Sequence, residues 1–90
     1  MIDERTIAAP KVIVYGTKTC PYCAMAKRYL ADKGVSYIEY DVGADHSRAQ
    51  EMMGKTGQRG VPVLDINGIM IIGFDRAGID RALSSNLPLI

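Results

Sequence analysis

Thr19-Cys20-Pro21-Tyr22-Cys23 holds both cysteines of a 90-residue chain, spaced i and i+3. A β-branched run, Val12-Ile13-Val14, precedes it, and a helix-like pattern opens at Pro21. Thiols with that spacing in the first turn of a helix share a face and lie close enough to form a disulfide. Cys20 falls where backbone N–H groups lack intrahelical partners and the helix macrodipole is positive, which favours its thiolate. A C-x-x-C between a strand and a helix therefore reads as a redox-active dithiol.

Working outward, Lys11 to Tyr15 reads as a buried strand stopped by Gly16. The first helix runs from Pro21, tolerated at the first helical position, to about Asp32, and Gly34 terminates it. Cys23, Ala26 and Leu30 share a face, which turns Cys23 inward and leaves Cys20 at the exposed tip. Val35 to Val42 reads as a second strand. Ser47 with Gln50 has the pattern of a capping box for a short second helix. Ala49, Met52 and Met53 would form its apolar face, with Gly54 and Gly57 ending it. Val61 to Ile66 and Ile69 to Ile72 flank Asn67-Gly68, the signal of a type I′ hairpin. Gly73 breaks the second of these strands. Asp75 then caps a last helix that turns Ile79, Ala82 and Leu83 to the core, with Gly78 inside it at a cost of about 1 kcal/mol relative to Ala.

The order strand, helix, strand, helix, hairpin, helix implies an α/β fold, βαβαββα. Strand–helix–strand gives a parallel pair with a right-handed crossover, and the hairpin adds an antiparallel pair. A mixed four-stranded sheet with helices on both faces satisfies both. The length is that of one domain, placed at residues 11–90. Residues 1–10 read as a flexible tail, or as an extra edge strand. An apolar tip, Leu87 to Ile90, follows the last helix.

Composition narrows the function. The apolar share, 48%, suits a globular core, and a net charge of +1 without a basic run argues against nucleic-acid binding. No apolar stretch approaches the roughly 20 residues of a membrane span. The N-terminus is acidic and lacks the apolar core of a secretory signal. Two cysteines are too few for a disulfide-framed secreted fold, so a cytoplasmic setting is expected, with the reducing pools a reversible dithiol needs.

Cys20 is the expected nucleophile. Lys18 is a candidate cation beside it, and the N–H groups of Tyr22 and Cys23 are candidate donors to its thiolate. Cys23 is the expected resolving thiol. It would attack the mixed disulfide that Cys20 forms and release the product. The blander alternatives are half a zinc site and a structural disulfide without turnover. Structural zinc needs four ligands, and only His46, far off on an expected surface loop, joins the two cysteines. No metal is expected. Pro62, inside an apolar run, is either a strand start or a special backbone position, because it withholds an N–H from the ladder.

Three blocks in order, Thr19-Cys-Pro-Tyr-Cys23, Arg59-Gly-Val-Pro62 and Gly73-Phe-Asp75, make residues 11–85 resemble the glutaredoxin branch of the thioredoxin-like superfamily. The resemblance implies a dithiol thiol–disulfide oxidoreductase acting on protein or low-molecular-weight disulfides. Glutathione is the implied co-substrate, no cofactor is tightly bound, and the chain is expected to be a monomer. It also implies a cis Val61–Pro62 bond facing Cys20, with the Val61 N–H and C=O left to pair with an extended substrate. Arg59 would meet a glutathione carboxylate, or else be a plain solvated arginine. The helix start at Gly73-Phe74-Asp75 would hold the γ-glutamyl carboxylate. Phe74 is either core packing or a docking contact, and Tyr22 is expected to be exposed within reach of substrate. Some relatives share an iron–sulfur cluster between two chains with glutathione, so a cluster carrier or assembly module is the alternative from another class.

Thr17 stands where glutathione-dependent members usually have Lys, with Lys18 one place along. Gly60 replaces the usual Thr of Thr-Val-Pro, and Ile72-Gly73 replaces the usual two glycines. The combination Gly-Val-Pro-Val with Ile-Gly-Phe looks most like the YruB-type glutaredoxin-like proteins. Gly-Phe also looks like the glutathione-independent redoxins that draw electrons from thioredoxin reductase. These departures bear on the electron donor rather than on thiol–disulfide chemistry.

Overall fold

Val12–Gly16 forms β1, and every one of its residues is buried. A strand with both faces buried belongs in the middle of a sheet covered on both sides. The computed structural model, which describes residues 11–84, places it there. The expected tail over residues 1–10 and the tip Leu87 to Ile90 lie outside the described residues. After β1 come α1 (Pro21–Asp32), β2 (Ile38–Asp41), α2 (His46–Thr56), β3 (Val63–Ile66), β4 (Ile69–Ile72) and α3 (Arg76–Ser84). The sheet order is β2-β1-β3-β4. β1 pairs parallel with β2 and antiparallel with β3, and β3 pairs antiparallel with β4. The expected mixed four-stranded βαβαββα sheet is the one observed.

Side chains alternate across the strands and so divide the interior. Val12, Val14, Leu64 and Ile66 pack with Ala26 and Leu30 of α1 and Ile79 and Ala82 of α3. On the other face Ile13, Tyr15 and Val63 pack with Met52 of α2. The hairpin turn is type I′ as expected, with φ of 51° at Asn67 and 91° at Gly68.

Several boundaries differ from the sequence reading. β1 runs one residue further than expected, because Gly16 pairs with Asp41 instead of stopping the strand. β2 is shorter and starts at Ile38, not Val35. The cause is the end of α1, where Gly34 donates to the Ala31 carbonyl at 2.9 Å and Val35 to the Leu30 carbonyl at 2.9 Å. That double closure is a Schellman motif, with Gly34 at φ 74°, and it commits Val35 to the helix end. The cap of α2 is Asp45, not Ser47. The Asp45 carboxylate accepts the Ser47 and Arg48 N–H groups at 3.1 and 3.2 Å, and the Ser47 hydroxyl donates to the same oxygen. The Ser47–Gln50 box therefore does not form. Gly54 is passed through, and α2 ends at Gly57, whose φ is 73°. β3 begins at Val63, so Val61 and Pro62 precede the strand instead of opening it.

One polar network crosses the α2 face. Lys55 Nζ donates to Asp65 Oδ2 and to the Tyr15 hydroxyl, each at 2.7 Å. The Tyr15 hydroxyl in turn donates to Glu51, which also accepts from Arg48 at 2.7 Å. Asp65 is buried, so its charge depends on that ammonium. Lys55→Met is expected to lower stability by about 2 kcal/mol, as for the loss of a hydrogen bond to a buried charged group. Urea denaturation measures this, and an unchanged midpoint would show that the network contributes nothing.

Candidate active site

The site begins where β1 hands over to α1. Cys20 is the N-cap of α1, with extended backbone at φ −90° and ψ 111°. Its Sγ accepts the Cys23 N–H at 3.1 Å, in the place a serine or aspartate oxygen takes at other helix starts. Of the two expected donors, Cys23 makes this contact. Pro21 follows at the first helical position, where its missing N–H costs nothing. Cys20 is half-buried, whereas Cys23 is 1% exposed.

Gly16 explains how Cys23 fits. A Cβ at residue 16 would lie 2.9 Å from the Cys23 Sγ, so only glycine lets α1 lie this close to β1. The reading of Gly16 as a mere strand stop missed this role. Its signal was available, since a glycine inside a buried strand marks a close approach. Burial, together with the hydrogen bond to Cys20, pushes the Cys23 thiol up to about 11. A backbone hydrogen bond from Thr17 and the charge of Lys27, itself 2.6 Å from Glu39, oppose that rise.

The β1–β3 register brings in the second block. Tyr15 lies opposite Val63, so Pro62 comes one step further along, level with Gly16. The Val61–Pro62 bond is cis and the Pro62 side chain is buried. The Pro62 carbonyl accepts the Gly73 N–H at 2.8 Å, which joins the second block to the third. Among the described residues the Val61 N–H and C=O make no backbone hydrogen bond. Gln58 shapes the preceding loop. Its amide accepts the Gly60 N–H at 2.7 Å and donates to the Gly60 carbonyl at 3.1 Å. A Cβ at Gly60 would lie 2.8 Å from that amide oxygen, which gives a physical reason for glycine there. Sequence reasoning did not single out Gln58.

The remaining expected residues surround this centre to different degrees. Tyr22 is 60% exposed and Lys18 is exposed in the β1–α1 turn. Arg59 is exposed and lines a groove with Thr17 and Val61. Gly73 takes φ 81° at the end of β4. Asp75 caps α3, its Oδ1 accepting the Gly78 N–H at 3.0 Å. Phe74 is half-buried, edge-on to Tyr29 with ring centres 5.8 Å apart, and packs on the α1–α3 core. That is the packing alternative of the two raised for it.

A helix capped by one thiol and burying a second, laid over a strand that pairs with a proline-led neighbour, defines the thioredoxin-like class of redox proteins. Kinship narrows the class. The glutaredoxin family model matches residues 12–71. The chain is 39% identical over 70 residues to an uncharacterized glutaredoxin-like 8.6 kDa protein in the rubredoxin operon of Clostridium pasteurianum, covering 78% of this chain and 93% of that one. It is 35% identical over 79 residues to glutaredoxin 3 of Escherichia coli strain K12, covering 80% and 95%. A buckwheat glutaredoxin–glutathione complex shares the fold at a TM-score of 0.70 and 23% identity, over 93% of this chain and 82% of that one. The chain belongs to the glutaredoxin family, and it is a thiol–disulfide oxidoreductase.

The Cys23 environment predicts a pH dependence. A thiol raised from 9.0 to about 11 is held protonated by folding, so it favours the folded state below pH 9. That contribution is lost as pH climbs from 9 through 11. The reduced protein is expected to lose stability over this window more steeply than Cys23→Ser. Urea midpoints of both proteins across the window test it, and parallel curves would contradict the burial.

Proposed function

We propose that the protein reduces protein or low-molecular-weight disulfides by a dithiol mechanism, with Cys20 attacking and Cys23 resolving. The observation that supports it most is the unequal treatment of the two thiols. One caps a helix at the surface, and the other is held neutral against Gly16. The Cys20 thiolate attacks a substrate disulfide, that S–S bond breaks, and one substrate sulfur leaves and takes a proton from solvent. Cys23 then gives up its proton and attacks the Cys20 sulfur, releasing the other substrate sulfur as a thiol. Two electrons pass from the dithiol to the substrate, with one proton supplied by solvent and one by Cys23. Because burial keeps Cys23 protonated, it does not compete with Cys20 for the first attack.

Glutathione is the proposed electron donor, with no tightly bound cofactor, and a monomer in the cytoplasm is the proposed working unit. The start of α3 supports the donor. Asp75 occupies the Gly78 N–H, while the Arg76 and Ala77 N–H groups make no hydrogen bond among the described residues. Free N–H groups at a helix start suit a carboxylate. Arg59 makes no ion pair among the described residues and offers a second anion contact. A thioredoxin-reductase-like flavoprotein is the second reading, favoured by the filled space at Gly60 and by Thr17 in place of lysine.

Two NADPH-linked assays on a model disulfide separate these donors, one through glutathione and its reductase and one through thioredoxin reductase. Turnover with glutathione is expected. Turnover with the flavoprotein alone would overturn the choice of donor. Cys20→Ser is expected to abolish reduction in both assays, and Cys23→Ser to keep at most glutathione-dependent activity. Full activity of Cys20→Ser would end the mechanism.

A further inference from the structure

Lys27 stands one turn beyond Cys23 on α1, at i+4, so both side chains leave the same face of the helix. From there Lys27 reaches across to β2, where its Nζ donates to Glu39 Oε2 at 2.6 Å. The β1–β2 register explains the meeting. Glu39 lies opposite Val14, and Val14 packs with Ala26 and Leu30 of α1, so the Glu39 side chain leaves the sheet on the α1 face. Gly16, against which Cys23 sits, is two residues on from Val14 and belongs to the same face. The Lys27 side chain is only 26% exposed. Its hydrogen bond to Glu39 keeps it charged against the opposing effect of burial. The exchange between two thiols does not by itself call on either residue.

Cys23 must ionise to resolve a mixed disulfide, and its burial opposes that first of all. The groups around it act in both directions. Cys20, at the helix N-cap, disfavours a second negative charge, whereas the Thr17 backbone and the Lys27 ammonium favour one. Asp41, opposite Gly16 on β2, is engaged in its own turn, where its Oδ1 accepts the Gly43 and Ala44 N–H groups at 2.9 and 3.2 Å. Glu39 is paired with Lys27, and the Tyr37 phenol lies near the same ammonium. Formation of the mixed disulfide removes the charge of Cys20. The Lys27 ammonium still acts on Cys23 at that moment, and its sign favours the thiolate.

We propose that Lys27, anchored by Glu39, is a positioning residue for the second step of disulfide reduction, holding a cation where the Cys23 thiolate forms. Cys23 gives up its proton and bonds to the Cys20 sulfur. The bond from Cys20 to the substrate breaks, and the substrate sulfur leaves with that electron pair and takes up a proton. The inference rests on the reading that Cys23 resolves the mixed disulfide, and it names a residue that sets the rate of that step.

A symmetrical aromatic disulfide, mixed one to one with the reduced protein, tests it. One chromogenic thiol is released when Cys20 attacks and a second when Cys23 resolves, so a single-turnover trace reads both rates. Loss of a cation a few ångströms away costs about tenfold in thiolate, and the more basic sulfur regains about threefold in nucleophilicity. In Lys27→Met the second rate is therefore expected to fall about threefold relative to the first at neutral pH, with its rise displaced to higher pH. Lys27→Arg keeps the cation and is expected to restore the ratio. Glu39→Gln keeps an acceptor for Lys27 and is expected not to lower it. A ratio that Lys27→Met leaves unchanged, or that Lys27→Arg and Glu39→Gln lower as far, would mean that the pair only ties α1 to β2, and overturns the inference. Absence of the second release in the unaltered protein overturns the reading of Cys23 as resolving thiol instead.

Discussion

Cys23 can sit on β1 only because residue 16 has no side chain. A Cβ there would come within 2.9 Å of the Cys23 sulfur, well inside van der Waals contact. That close approach sets where α1 begins and so where Cys20 is held. It also buries the second thiol, and burial raises its affinity for the proton. The same strand end carries Pro62 alongside through the β1–β3 register, and Pro62 in turn accepts from Gly73. Three blocks that are far apart in sequence are thereby tied to one glycine.

The two faces of the sheet have different work. The α1–α3 face holds an apolar cluster and the buried thiol. The α2 face carries the polar network of Tyr15, Glu51, Lys55 and Asp65. Each polar group there has a partner, and among the described residues no buried side-chain nitrogen or oxygen is left without one. That network fixes α2 against β1 and β3 through directional bonds, where apolar packing through Met52 alone would allow sliding. A fixed α2 gives the neighbouring groove a defined wall.

Features whose causes lie within four or five residues were legible in the sequence. The C-x-x-C at a helix start, the Asn67-Gly68 turn and the Asp75 cap each follow from local backbone geometry. Where two local signals competed, the choice was not legible. Asp45 and Ser47 are both good caps, and Asp45 prevails because its carboxylate reaches two N–H groups while also accepting from the Ser47 hydroxyl. Val35 fits a strand by composition, yet the hydrogen bond to Leu30 takes its N–H first. What depends on contacts distant in sequence stayed hidden. Nothing near Lys55 announces Tyr15, forty residues earlier. The Gln58–Gly60 contact is local but was missed as well, because no cap or turn pattern marks a glutamine amide that bridges its own loop.

The Gln58 bridge bears on how such a site diverges without losing its chemistry. The dithiol needs the helix start, the glycine beneath it and the proline level with it. None of these involves the Gln58–Gly60 loop directly. That loop is held by its own bonds, with Thr56 accepting the Gln58 N–H and Gln58 bracketing Gly60. Those bonds set the place of Gly60, whereas β1, α1 and Pro62 are held by the sheet register and by the close approach at Gly16. The loop is stapled to itself and the dithiol rests on the sheet, so the two are held by separate interactions.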